Sequence, residues 1–159
     1  MEMKSHLIGL FRFNDGVNRK MIAKIAEMPD PTEAIHLMSH LIHSQDKWIA
    51  RLAADPDANK REWFGPAFPL EMLATEWERS LQSWLAFLDS KTEAEVNATV
   101  QWEGYDGAKW EAKLCDLALQ LNFHGIHHRA QIQTLIRQQG LEPDFLDYIG
   151  TKYRRIGDY

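Results

Sequence analysis

An all-α fold, a four-helix bundle with a small hairpin or irregular segment before the last long helix, is what this sequence predicts. Three observations carry the prediction. Apolar residues recur with a helical period through four long segments, Pro and Gly clusters separate those segments, and apolar/polar alternation is confined to one short stretch. The 159 residues are the size of one ordinary domain, so residues 1–159 read as a single domain.

The first helix is expected over 4–27, where Leu7, Phe11, Asn14, Asn18, Met21 and Ile25 recur at alternating spacings of four and three. Asn14 and Asn18 lie in that apolar seam, so they either tie neighbouring helices together or face a polar pocket. Met28-Pro29-Asp30-Pro31 ends the helix, because each proline keeps its predecessor out of the α region. The second helix, 31–54, has a broad apolar face of Ala34, Leu37, Met38, Leu41, Ile42, Trp48, Ile49 and Leu52. His36, His40 and His43 line one flank; His40 is nearest the apolar edge, and His36 and His43 read as surface histidines.

Residues 55–69 hold three of the six prolines and read as an ordered loop. Its Trp63, Phe64 and Phe68 need burial over the end of the bundle, on an outer face or on a second subunit. The third helix, 70–91, carries Leu70, Leu73, Ala74, Trp77, Leu81, Trp84, Leu85 and Leu88 as a core stripe. A longer crossover is therefore expected between the second and third helices. From Val96 to Trp110, Val100 and Trp102 alternate with polar neighbours before Gly104-Tyr105-Asp106-Gly107, a hairpin signal. The fourth and longest helix is expected over 110–139, with Gly140 as its C-terminal cap and Pro143 beyond.

Composition narrows the partners. A formal charge of −5 and a pI near 5.8 supply no basic footprint for a phosphate backbone, so nucleic acid is not expected. No apolar run approaches the roughly 18 residues that span a bilayer, which leaves no membrane role. The lone Cys115 has no partner for an internal disulfide, and residues 1–15 lack a signal-peptide pattern, so a cytoplasmic address is expected.

Three of the seven histidines fall within five positions: His124, His127 and His128. At about 100° per residue, His128 lies about 40° from His124 and one turn up, while His127 lies about −60° from it. The apolar stripe of this helix occupies roughly 20° to 120° from His124, so His128 turns inward and His127 outward. A lone inward His is usually satisfied by ordinary hydrogen bonds. Two on adjacent turns, joined by His40 from the second helix, give three imidazoles, the ligand number of an open catalytic zinc site. Gly125 stands where the zinc-protease helix has its Glu, so the spacing indicates a metal without indicating a protease.

The string His124-Gly-Ile-His127-His128-Arg129-Ala130-Gln131 resembles the His-x-x-His-His-Arg-Gly-Gln signature of the DinB-like family of metal-binding four-helix bundles. His40 followed by Trp48 and Arg51 is similar to that family's second-helix motif, and Phe11, Phe13, Asn14 and Asn18 are similar to its first-helix pattern. Phe13, Gly16, Phe123 and Ala130 stand where Tyr, Trp, Asn and Gly are common. The resemblance spans nearly the whole chain. It implies His40, His124 and His128 as metal ligands, with His127 and Arg129 matching the motif without being ligands. Asn14, Asn18, Trp48 and Gln131 are candidates for the pocket wall or for orienting a ligand. Dimerisation is common in proteins it resembles, so a homodimer is expected.

Imidazole suits zinc and nickel alike; a divalent ion is expected, with zinc ahead of nickel. Three neutral ligands leave the ion dipositive, able to lower the proton affinity of a bound water or thiol. A hydrolase also wants a general base. Glu33 shares the face of His40 but lies roughly 10 Å along the axis, and Asp46 points elsewhere. Thiol activation needs no such base, and the resembled family includes thiol-dependent S-transferases and isomerases. The first expectation is therefore a metal-dependent S-transferase acting on a small-molecule substrate with a low-molecular-weight thiol. A metal-dependent hydrolase and a non-enzymatic, stress-associated metal-binding bundle are the alternatives.

Overall fold

The computed structural model describes residues 2–154 and 156. Four long helices form the body: α1 (Met3–Ile25), α2 (Thr32–Leu52), α3 (Leu73–Asp89) and, after a short helix α4 (Glu93–Val96) and a hairpin of β1 (Thr99–Glu103) and β2 (Lys109–Lys113), the longest, α5 (Leu114–Gln138). The protein is thus mostly helical with one small antiparallel sheet. Among the described residues no helix is long and apolar enough to cross a membrane.

The helices close a ring in which α1 packs on α5, α5 on α2, α2 on α3 and α3 on α1. Asn14 meets Asn122 and Asn18 meets Arg129, so α1 and α5 run in the same direction. The chain then has to return along α2, and α3 runs parallel to α2. Residues 53–72 are accordingly a crossover that travels the length of the body, and side chains of α2 hold it throughout. Lys47 Nζ donates to the Arg61 carbonyl, His40 and His43 reach the carbonyls of Trp63 and Pro66, and the Phe68 N–H donates to Ser39 Oγ.

Two apolar clusters fill the interior. One gathers Met21, Ile25, Met38, Ile42, Leu73, Trp77, Ile132 and Ile136; the other gathers Leu7, Phe11, Leu81, Trp84, Leu88 and Leu121. Along every long helix the residues between these clusters are polar and buried: Asn14 and Asn18, Gln45, Ser80, Asn122 and Arg129. The Asn pair of the α1 seam therefore ties α1 to α5 within a polar layer, which pairs the Asn14 amino group and the Asn18 side-chain carbonyl oxygen; Asn14 Oδ1 is buried without a partner among the described residues.

The first two helices end two residues before their expected limits, at Ile25 and Leu52, and the later elements move further. Residues 110–113 do not begin the last helix; they form β2, with Trp110 opposite Trp102 and Ala112 opposite Val100, and α5 starts at Leu114. The alternation seen in β1 needed a partner strand, and the Asp106-Gly107 turn, with Gly107 at φ 76°, supplies it from these residues. The third helix opens with a 3₁₀ turn at Leu70–Met72 and ends at Asp89, short of the expected Lys91. Beyond it, Thr92 and Glu95 form a capping box that starts α4. Glu93 of that turn accepts the Met3 and Lys4 N–H groups at 2.8 and 3.0 Å, capping α1 from ninety residues away. At the far end, Gly140 (φ 80°) closes α5, with Leu141 N–H donating to the Ile136 carbonyl.

Candidate metal centre

Helical spacing puts His124 and His128 one turn apart on the inward face of α5, and the antiparallel packing of α2 on α5 brings His40 against them. One ring nitrogen from each histidine lies within 4.8 Å of the other two. His124 Nε2 is 3.0 Å from His40 Nε2 and 2.9 Å from His128 Nε2. The outer nitrogens explain why this cluster suits a cation. His40 Nδ1 lies 2.5 Å from the carbonyl oxygen of Trp63, which can only accept, so Nδ1 carries the proton and Nε2 presents its lone pair. His128 Nδ1 is 2.6 Å from Gln131 Oε1, with the same consequence. A single proton on His124 Nε2 satisfies one of its two contacts; the other brings lone pairs together. A shared ion removes that conflict. Tetrahedral zinc at about 2.0–2.1 Å from each nitrogen spaces its ligands by about 3.3 Å, close to the two separations that involve His124.

Burial points the same way. His40 and His128 are buried and His124 half-buried. Desolvation, followed by the neighbouring imidazoles, pushes His124 down to about 4. Desolvation is also the main cause lowering His40 and His128. All three are therefore neutral at pH 7, the form that binds metal.

The other candidates fall in different places. His127 is exposed, and His36 is exposed. His43, read as a surface histidine, is half-buried and holds the crossover: its Nε2 is 2.9 Å from the Pro66 carbonyl and its ring stacks on Phe68. Gln131 orients His128, as its 2.6 Å contact shows. Asn14 and Asn18 sit in the polar layer beneath, Asn14 donating to Asn122 and Asn18 accepting from Arg129 at 3.2 Å. Arg129 is buried and pushed down to about 10 by desolvation, so it remains a cation at neutral pH. Gly125 leaves it room, since a Cβ there would lie 2.9 Å from Arg129 Nη1. The crossover aromatics are not all buried as expected: Phe64 stacks on His40 at 3.8 Å with an interplanar angle of 3°, yet remains 70% exposed. It covers His40 with one face and meets solvent with the other.

Beside the cluster opens a chamber of about 340 Å³, walled by Trp48, Trp63, Phe64 and Leu121 and touched by His40 and His124. Among the described residues no Asp or Glu lines it. Glu33 is exposed, and Asp46 pairs with Arg79 at 2.5 Å on the outside of α2. The residue that periodicity alone passes over is Lys47. It lies about 20° from His40 on the helical wheel, is fully buried, and donates to Arg61 and to the Tyr105 hydroxyl. A lysine on the inward face of an apolar helix was the available signal. The Trp63 carbonyl had none, because a backbone acceptor is independent of residue type.

No curated protein and no solved structure matches this chain. The DinB family model matches residues 3–156, a span that takes in all three histidines and the crossover that orients the first of them. The chain belongs to the DinB family.

Proposed function

We propose that this chain, a four-helix bundle in its long helices, is a metal-dependent S-transferase that joins a low-molecular-weight thiol to a small electrophile. One observation carries the reading: three neutral imidazoles converge beside an apolar chamber in which, among the described residues, no carboxylate stands ready as a general base. His40, His124 and His128 would hold a divalent ion, zinc or nickel, whose Lewis acidity would lower the proton affinity of a thiol. The residues around it hold the ligands in place. Trp63 and Gln131 fix the ring orientation of His40 and His128, and Phe64 shields one face of His40 from water. Trp48, Trp63 and Leu121 offer an apolar seat for the acceptor.

Water activation is the weaker reading for the same reason, since hydrolysis gains from a positioned base and the lining has none. The test is a conjugation assay of the zinc- or nickel-loaded protein against a panel of cellular thiols and electrophiles, read by mass spectrometry. Adduct formation above that of His128→Ala is the expected result. Ester or amide hydrolysis with no adduct would transfer the assignment to the hydrolase reading.

A further inference from the structure

The chamber beside the histidines carries an unexplained hydroxyl. Ser44 is one turn beyond His40 in α2 and lines the chamber; it is 2% exposed, and its Oγ has no hydrogen-bond partner among the described residues. A serine inside a helix usually returns its proton to the carbonyl four residues back, and a buried hydroxyl left unpaired is destabilising. Gln120 is one turn before His124 in α5 and lines the same space. Because α2 and α5 run in opposite directions, Ser44 and Gln120 both extend away from the imidazoles on one side, so the chamber has its polar groups beyond the ligands and not only at them.

Its walls are rigid and uncharged. Arg51 packs over the Trp48 and Trp63 rings at 5.1 and 5.2 Å, and Lys47 lies 5.0 Å from the centroid of Trp63. Trp102 meets Trp48 edge-on at 5.1 Å. These contacts hold both indoles, yet neither cation lines the chamber. The volume of about 340 Å³ is near the lower end for small-molecule pockets, enough for one ring-sized group.

We infer that the chamber takes an uncharged planar group bearing one hydrogen-bonding substituent, with Trp48 and Trp63 as its walls and Ser44 Oγ as the partner of that substituent. This names the electrophile class for the S-transferase reading and rests on it for its catalytic meaning, although the chamber itself is built without the ion. Without the ion, a carboxylate or phosphate finds no counter-charge in the chamber lining to offset the hydration it gives up.

The experiment titrates benzamide and benzenesulfonate into zinc-loaded and chelator-treated protein, following the indole N–H signals of Trp48 and Trp63 by NMR. Benzamide is expected to shift both signals saturably in both forms, while benzenesulfonate leaves them unmoved in the chelated form. Ser44→Ala is expected to weaken benzamide about three- to tenfold, the worth of one neutral hydrogen bond. Ser44→Ala suits a helix, so it remains informative even if the bulkier Ser44→Phe, expected to abolish binding, does not fold. Absence of saturation by benzamide in either form, or equal affinity in Ser44→Ala and wild type, overturns the inference. Benzamide binding together with no thiol conjugation overturns the S-transferase reading and leaves the chamber's specificity standing.

Discussion

His40 Nδ1 and the Trp63 carbonyl oxygen are 2.5 Å apart, so the orientation of the His40 ring on α2 is set by the backbone of the crossover that follows it. Two residues earlier, the Arg61 carbonyl takes a bond from the fully buried Lys47. Lys47→Met keeps the stem packed among Trp63 and Tyr105 and removes that anchor. Zinc affinity, measured against a chromophoric chelator, is expected to fall about tenfold, at the lower end of the effect of outer ligand partners. An unchanged affinity would show that the crossover does not depend on Lys47 to orient His40.

Gln131 makes the parallel case on α5 from an exposed position, its Oε1 2.6 Å from His128 Nδ1. Gln131→Ala should cost about 10- to 100-fold in metal affinity. Its thermal stability should stay within about 0.5 kcal/mol of wild type, as for other surface changes. A stability loss with full metal affinity would reverse that assignment.

Backbone positions give predictions of opposite sign. Gly9 and Gly16 sit in exposed stretches of α1 with nothing within 4 Å of an added Cβ, so each change to Ala should stabilise by about 0.5–1 kcal/mol. Gly125→Ala gains the same propensity but pushes Arg129 off Asn18, and the loss of a charged hydrogen bond, about 1.5–3 kcal/mol, outweighs it. Ala54, at φ 53° after α2, is the converse: Ala54→Gly should stabilise by about 1 kcal/mol. Urea denaturation of the four variants checks the signs.

In the metal-free protein the histidines also set a pH dependence. His124 titrates near 4 in the folded state and near 6.5 when unfolded, so between those values the unfolded chain holds the extra proton and stability rises with pH. His40 and His128 are shifted in the same direction. Melting temperature should therefore fall from pH 7.5 to 5.5, a window above the range of the lowered carboxylates Asp30, Asp55, Glu93 and Glu95. His124→Asn should flatten the fall; a slope as steep as wild type would rule out His124 as its main cause.

Periodicity made the four long helices legible, because a stripe such as Trp77, Leu81, Trp84 and Leu88 has one stable use, and the structure buries all four. The Asp106-Gly107 turn announced the hairpin but not its second strand, since Trp110 and Ala112 also fit a helical stripe. The inward turn of His128 and outward turn of His127 could be read from the wheel, and the geometry places them so. What surrounds the cluster was not legible. The partner of His40 is a backbone carbonyl 23 residues on, and the crossover that delivers it has no periodicity to read. Buried Lys47 and the unpaired Ser44 hydroxyl acquire meaning only when the chamber's walls are known.

The central claim is that His40, His124 and His128 together hold one divalent ion, and the most direct measurement is zinc binding by untagged wild-type protein and His40→Ala, read by calorimetry with metal analysis. One ion per chain in the wild type, with affinity at least about 100-fold weaker in His40→Ala because only the α5 pair remains, is the predicted result. Equal stoichiometry and affinity in the two proteins would contradict it.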